Sequence, residues 1–429
     1  MDLVETRSQV RLRLLIGLLV LLPPFYVYRV PVIGVEPFRL LQGVLFAWAT
    51  YCMCTVEWRL RPRHGLAVVL LAVLAAIPTV DLVRAAEPEM IGRNLGNHLA
   101  SLFLIPVIVF ACTQPGHVFS VMNWMIAGSV GALALAGCWV VTGRLPLEFL
   151  VNQMVGTETS LADVTFSDAG RLRLAAGFFD PNFYGMYLVV VIAFILNRLA
   201  WGDSRKWPLS LLLVLNVVAL VLTMSRTSMI GMILVLAITA VLAPRLRRTI
   251  VAVVFVAAFA FPVLLANGVL PDALVVLERF SNLQDRAGRL LYHQAGLDAF
   301  LASPLFGAGT EGLLWHVRQY QAVNQASAHI VYLSWLARFG IVGTLVYLAF
   351  LAIPPAVATF GRQFRQDIRH LVLATYIPLA VMYVAYDYFD SLPAQYVVFG
   401  LGWAVVLNGL GWVHTESRKF DVGGSTFVD

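Results

Sequence analysis

Long apolar runs alternate with short, charged connectors along almost the whole chain. A helix needs about 17–25 mainly apolar residues to cross the hydrocarbon core of a bilayer, and twelve runs come close to this length. They lie near residues 14–29, 38–58, 66–83, 97–112, 118–142, 181–199, 208–224, 228–243, 249–267, 329–352, 371–386 and 395–413. The pattern therefore predicts about twelve transmembrane helices.

Composition narrows the class of protein further. Hydrophobic residues make up 60% of the 429 residues and charged residues 13%, against roughly 25% charged residues in a soluble domain. This excludes an ordinary cytoplasmic enzyme, a disordered chain and a nucleic-acid-binding domain. The predicted fold is an all-α, polytopic integral membrane bundle that forms a single domain over residues 1–429.

Clusters of basic residues orient this bundle, since inner connectors carry an excess of Lys and Arg. The clusters assigned to the cytoplasmic side are Arg7, Arg11, Arg13; Arg59, Arg61, Arg63; Arg198, Arg205, Lys206; Arg245, Arg247, Arg248; Arg362, Arg365, Arg369; and Arg418, Lys419. Both termini are then cytoplasmic. Residues 268–328 form the main outer loop, expected to be a small helical region packed on the bundle, and 143–180 form a second outer segment.

Four arginines lie in the main outer loop, against the general excess of basic residues on the cytoplasmic side: Arg279, Arg286, Arg289 and Arg318. Residues 285–303 are predicted to form a helix that ends before Pro304. At about 100° per residue, Arg286, Arg289 and His293 share one face, and Leu290, Leu297 and Leu301 form an apolar stripe for docking on membrane or bundle. The cationic face fits an anionic substrate, or else a helix lying on lipid headgroups.

Arg226 and His329 stand where two predicted spans begin. A charge at membrane depth usually faces a cavity or a partner, although Arg226 could also extend to the interface. His329 could exchange a proton near neutral pH, or it could simply be a structural hydrogen-bonding group at the helix start.

Asp180 is a predicted N-cap, and Pro181 is the predicted first residue of the helix. This capping does not explain the presence of Asn182, Arg171 and Arg173. Residues 307–312 form a glycine-rich turn without the features of a P-loop. The four cysteines lie in or beside apolar runs and are interpreted as small buried hydrophobes. No spacing of His, Cys, Asp or Glu indicates a metal site, and no cofactor is expected.

Four segments together resemble the bacterial O-antigen ligase and O-antigen polymerase superfamily. They are Arg173-Leu174-Ala175-Ala176-Gly177 with Asp180-Pro181-Asn182; Leu222-Thr223-Met224-Ser225-Arg226-Thr227; Gly288-Arg289-Leu290 with Ser303-Pro304-Leu305-Phe306-Gly307-Ala308-Gly309; and Ala328-His329 with Phe339-Gly340-Ile341-Val342-Gly343. The resemblance covers roughly residues 170–350. Arg338 and Tyr292 depart from residues that relatives often carry at those positions.

The resemblance implies a metal-independent glycosyltransferase with a periplasmic active site in the bacterial inner membrane. Its donor would be a glycan on undecaprenyl diphosphate, and in the ligase branch its acceptor would be lipid A–core oligosaccharide. Arg226 and Arg289 would bind the donor diphosphate, His329 would be the general base, and Arg173, with Arg171, would assist near the donor. Arg286, Arg279 and Asn182 are further candidate substrate-binding residues.

Three other functions remain open. A polymerase of O-antigen or exopolysaccharide would use the same donor, and a protein O-oligosaccharyltransferase, which is less favoured, would share the same motifs. A multispan transporter of lipid or polysaccharide would share the apolar pattern. The transporter is disfavoured because the sequence lacks visible internal repeats. Asp387 and Asp390 either contact the acceptor or, as we favour, cap and solvate helix ends.

Overall fold

The computed structural model describes eleven stretches of the chain. They are residues 7–22, 37–55, 62–85, 88–142, 174–178, 180–202, 206–266, 283–320, 327–361, 364–384 and 393–410. The helices within them are α1 (Arg7–Leu21), α2 (Pro37–Thr55), α3 (Pro62–Arg84), α4 (Pro88–Ala111), α5 (Pro115–Thr142), α6 (Pro181–Trp201), α7 (Lys206–Leu222), α8 (Arg226–Leu242), α9 (Arg247–Ala266), α10 (Leu283–Ala302), α11 (Gly309–Tyr320), α12 (Val331–Phe360), α13 (Gln366–Met382) and α14 (Pro393–Asn408), with a short 3-10 turn at Pro244–Leu246.

Each of the twelve predicted apolar runs overlaps one of these helices, α1 to α9 and α12 to α14. In the described part of the chain, three helices are long and apolar enough to cross a membrane: α5 over Pro115–Cys138, α6 and α12. Shorter apolar stretches lie in α3, α4, α7, α8 and α14. The architecture is that of a helical membrane protein, while the number of twelve spans remains a prediction.

Helix α6 forms the centre of the bundle. All its residues are buried except Asn182, Arg198 and Trp201, and it packs against α5, α7, α8 and α13. A helix that is apolar on every side is typically surrounded by other helices. The sequence of α6, apolar from Phe183 to Leu196, therefore explains its central place.

One buried polar cluster ties α6, α8 and α13 together. The Asn197 amide donates to the Asp367 carbonyl at 2.6 Å and lies 3.2 Å from His370 Nδ1, while Thr239 Oγ1 lies 2.8 Å from His370 Nε2. Thr239 donates its own proton to the Val235 carbonyl, so its oxygen accepts from Nε2–H and Nδ1 accepts from Asn197. Both ring nitrogens of a neutral imidazole are thus satisfied, as buried polar groups require.

Helix α10 lies where the sequence predicts a helix, but it packs through a different face. Its contact with α11 and α12 is made by Ala295 and Ala299, which are fully buried. Leu290, Leu297 and Leu301 are instead 62%, 42% and 62% exposed. Of the two surfaces predicted for this stripe, the bundle is therefore not the one it packs on, because the alanine face makes that contact. Docking of the stripe on the membrane stays a prediction.

Helix α12 is interrupted at Gly340, whose φ of 64° and ψ of −168° are not helical. The loop after α10 passes this break: Ala308 N–H donates to the Ala337 carbonyl and Ile341 N–H donates to the Pro304 carbonyl. A Cβ on Gly340 would overlap the carbonyl of Leu305. The apolar run of residues 329–352 is therefore two helical pieces joined at a glycine.

Candidate functional site

The chain before α6 is anchored to the end of α7. Leu174 N–H donates to the Leu222 carbonyl at 3.0 Å, and Phe178 N–H closes a turn onto the Ala175 carbonyl at 2.8 Å. The turn uses positive φ angles at Ala176 (45°) and Gly177 (83°). Residues 174–177, the described part of the motif that begins at Arg173, therefore lie at the α7–α8 junction.

The predicted cap of α6 is present. Asp180 is the N-cap, its side chain accepts from Asn182 N–H at 2.6 Å, and Pro181 is the first helical residue. The backbone of Asn182 is accounted for by this cap, and its side chain is partly exposed.

Arg226 is the first residue of α8 and follows a tight turn. Met224 has a φ of 53°, Ser225 N–H donates to Thr223 Oγ1 at 3.2 Å, and Ser225 caps α8 by accepting from Ser228 N–H at 3.3 Å. A Cβ on Gly185 of α6 would overlap Ser228 Oγ. The starts of α6 and α8 are therefore adjacent, with the half-buried Arg226 beside them.

His329 lies in a strained segment just before α12. Its φ is 55°, in the left-handed region that costs a residue other than glycine about 1–2 kcal/mol. His329 N–H donates to Ser327 Oγ at 3.1 Å, and Ala328 N–H donates to Ser334 Oγ at 2.9 Å. These two bonds hold the backbone in this conformation and present a partly exposed imidazole.

Tyr292 of α10 packs against this imidazole. The two rings meet edge to face, with centroids 4.3 Å apart and planes at 77°. A Cβ on Gly296 would lie 2.6 Å from Ala328 Cβ, so α10 approaches the His329 segment closely one turn further along. Arg289 precedes Tyr292 by three residues, the spacing that places side chains on one side of a helix. The structure thus brings the Arg289 helix to His329.

Arg289 also acts on its neighbour His293. Burial, followed by the positive charge of Arg289, lowers the pKa of His293 below its usual 6.5. His293 therefore stays neutral at physiological pH, while Arg289 is exposed.

Arg226 and His329 lie at the same end of the bundle. Gly231 of α8 packs on Met382, the last residue of α13, where an added Cβ would lie 2.5 Å from the sulfur. The next residue, Tyr383, accepts from Val331 N–H at 3.0 Å. Arg226 is five residues before Gly231, about 7.5 Å along the helix, and His329 is two residues before Val331. The start of α8 and the His329 segment therefore flank the end of α13.

For the remaining predicted site residues, the structure describes either only the backbone or nothing. Arg171, Arg173 and Arg279, and also Asp387 and Asp390, lie outside the described residues. Arg286 belongs to the first turn of α10, where only the backbone is described. Among the described residues there is no group of three or more His, Cys, Asp or Glu that could hold a metal ion, and independence from metal remains a prediction.

Sequence reasoning did not identify Tyr292, Ser327 and Ser334 as neighbours of His329. The hydrogen bond of Ser327 could have been predicted, because a serine side chain often bonds to the backbone two residues further along the chain. The contact of Tyr292 could not have been predicted, since it depends on how α10 packs.

Comparison with known proteins agrees with the motifs. Residues 211–348 match the family model described as O-Antigen ligase, a range that contains Arg226, Arg289, Tyr292 and His329. A search of curated proteins found no match. The match therefore supports the O-antigen ligase and polymerase superfamily over residues 211–348, and members of that family are glycosyl-transfer enzymes.

Proposed function

We propose that the protein is an O-antigen ligase of the bacterial inner membrane. It transfers a glycan from undecaprenyl diphosphate to lipid A–core oligosaccharide at the periplasmic face, without a metal ion. The observation that carries this proposal is the contact between His329, held at a φ of 55°, and Tyr292 on the helix that bears Arg289. Backbone strain of this kind often occurs at functional sites.

In this reaction His329 is the general base. A hydroxyl of the acceptor attacks the anomeric carbon of the donor, and its proton moves to the imidazole. The bond from that carbon to the diphosphate oxygen breaks, and the diphosphate leaves with the electron pair. Attack opposite the leaving group inverts the anomeric centre.

Arg226 and Arg289 bind the diphosphate. A guanidinium forms charge-assisted, often paired hydrogen bonds to phosphate oxygens, and a fixed cation stabilises the negative charge that grows on the leaving group. Arg173 and Arg171, with Arg286, Arg279 and Asn182, are the further substrate-binding residues of the proposal. Lysine would replace Arg226 or Arg289 only in part, because it lacks the planar fork.

Reconstitution with two substrates tests the proposal. Purified protein in liposomes receives glycan on undecaprenyl diphosphate and lipid A–core, in the presence of a chelator. The expected product is glycan joined to lipid A–core, at an undiminished rate. Product formed only with added divalent metal would contradict the metal-free reaction, and a longer lipid-linked glycan as sole product would identify a polymerase instead.

A further inference from the structure

A basic cluster lies at the end of the bundle opposite the start of α8. Its members are Lys206 at the start of α7, Arg245 in the 3-10 turn, and Arg247 and Arg248 at the start of α9. Arg226 begins α8 and the 3-10 turn follows its end, so the 17 residues of α8 separate the two by about 25 Å. The basic cluster is therefore distinct from the candidate active site.

One contact places the starts of α7 and α9 at the same end of the bundle. The Arg245 guanidinium lies over the Trp201 ring, 5.6 Å from its centroid. Trp201 is the last residue of α6, and the chain reaches Lys206 five residues later. The 3-10 turn packs on α6, α8 and α9, and α7 packs against α9. The two helices thus run in parallel, and both begin beside this turn.

In the part of the chain that the structure describes, the basic cluster has no carboxylate partner. All four side chains are exposed, and Arg247 makes one long hydrogen bond, 3.4 Å, to the Ala240 carbonyl. Residues 206–266 contain no Asp or Glu, and the charges of Asp203 and Arg205, which lie outside the described residues, cancel. The cluster therefore presents its positive charge outward.

Another basic segment on the predicted cytoplasmic side is used differently. Arg365 pairs with Asp367 at 2.6 Å, and Arg369 donates to the carbonyls of Ala358 and Gly361 at 2.9 and 2.6 Å. These two arginines stabilise the start of α13 from within the protein. A general excess of basic residues thus does not by itself leave cations without internal partners.

Exposed apolar stripes extend along both helices from the basic cluster. At helical spacing, the stripe of α7 consists of Trp207, Leu211 and Leu215, and that of α9 consists of Val251, Val254 and Phe255. Both helices overlap predicted membrane spans, so the stripes face hydrocarbon. Tryptophan is enriched at the level of the lipid headgroups, and Trp207 is 69% exposed. The basic cluster therefore lies at headgroup height.

We infer that the basic cluster binds the headgroup of an anionic phospholipid in the membrane leaflet that it meets. The guanidinium groups of Arg247 and Arg248 bind the phosphate oxygens, Lys206 and Arg245 add positive charge, and the acyl chains lie along the stripes of α7 and α9. Basic residues beside spanning helices attract anionic lipids in this way. A zwitterionic headgroup brings an ammonium group for which the cluster offers no carboxylate. The inference concerns binding and does not depend on the proposed transferase activity.

The test titrates full-length protein in mild detergent with phosphatidylglycerol or phosphatidylethanolamine of identical acyl chains, and native mass spectrometry counts the bound lipid. Wild-type protein should bind phosphatidylglycerol more tightly than phosphatidylethanolamine. The double variant Arg247→Gln with Arg248→Gln should raise the dissociation constant of phosphatidylglycerol about 25-fold, because each basic residue beside an anionic lipid contributes roughly fivefold.

The matched control is the double variant Arg7→Gln with Arg11→Gln. It removes the same number of charges on the same predicted side of the membrane, from α1, where Arg11 lies over the Trp48 ring. Its affinity for phosphatidylglycerol should equal that of the wild type. Equal losses in the two double variants would show an effect of net charge and overturn the inference, and so would equal wild-type affinity for the two lipids.

Two further outcomes decide the inference. Displacement of phosphatidylglycerol by an equal concentration of inorganic phosphate would identify a site for free phosphate instead of lipid and would overturn it. If the Arg247→Gln and Arg248→Gln double variant does not fold, as judged by gel filtration, Lys206→Gln replaces it with Arg11→Gln as control. A loss of roughly fivefold is expected for Lys206→Gln, and unchanged affinity would contradict the inference.

Discussion

At the scale of single residues, His329 occupies a backbone conformation that its own Cβ disfavours. Its φ of 55° is held by Ser327 and Ser334 and covered by Tyr292. Such strain persists where surrounding contacts enforce it. The sequence identified His329 as a candidate because it stands at a helix start, but the strain depends on contacts with α10 and α13 that no local pattern reveals.

His329→Gly and His329→Ala separate strain from chemistry. Glycine adopts a positive φ without the steric cost that alanine carries, so the glycine variant should be more stable than the alanine variant by about 1 kcal/mol. Both should lose glycan transfer, since neither has an imidazole. Thermal unfolding in detergent gives the stabilities. Equal or reversed stabilities would contradict the left-handed conformation.

His293 should make stability depend on pH. Its pKa is lowered by burial and then by Arg289, so the unfolded chain binds this proton more tightly than the folded protein does. The contribution of neutral His293 to the free energy of unfolding is therefore complete above its usual pKa of 6.5. It is lost as the pH falls from that value toward the lowered pKa of the folded protein. The melting temperature should therefore drop between about pH 7 and pH 5, and His293→Gln should reduce the drop. An identical pH slope in the variant would show that another group titrates.

At the scale of elements, the beginning of α11 depends on a carboxylate from a distant helix. The sequence of residues 307–312 predicts only a glycine-rich turn, yet α11 begins at Gly309. Its first turn is capped by Asp81 of α3, which accepts from Thr310 N–H and from its hydroxyl. A cap supplied across more than two hundred residues cannot be inferred from local sequence. The cap of α6 was predicted, because Asp180 directly precedes that helix and Pro181 begins it. The cap of α8 by Ser225 was not predicted, although Ser225 also directly precedes its helix.

Asp81→Ala should therefore loosen α11. Loss of a helix cap costs about 0.5–2 kcal/mol, and Asp81→Asn should cost less because its amide oxygen can still accept one bond. Hydrogen exchange of residues 309–320 measures the effect, with faster exchange expected in the alanine variant and an intermediate rate in the asparagine variant. Unchanged exchange in both variants would show that α11 does not need this cap.

At the scale of the whole molecule, the length of the apolar runs was sufficient to locate twelve of the described helices, α1 to α9 and α12 to α14. It was not sufficient to locate their contacts. An apolar run as long as a membrane span can be recognised without knowing what it packs against, and each of the twelve runs overlaps a described helix. The packing of α10 through Ala295 and Ala299 and the break at Gly340 depend on which neighbours approach. The relative position of Arg226 and His329 depends on such approaches too, since Gly231, Met382 and Tyr383 link the start of α8 to the His329 segment.

The central claim is that His329 takes the acceptor's proton while arginines hold the donor. Its most direct test is a single-turnover transfer assay on His329→Ala in liposomes, with donor binding measured in the same vesicles. The account predicts donor binding equal to that of the wild type, and transfer slower by about 10²–10⁴-fold, the usual contribution of a general base. Transfer at the wild-type rate would contradict it, and so would loss of donor binding in parallel with transfer.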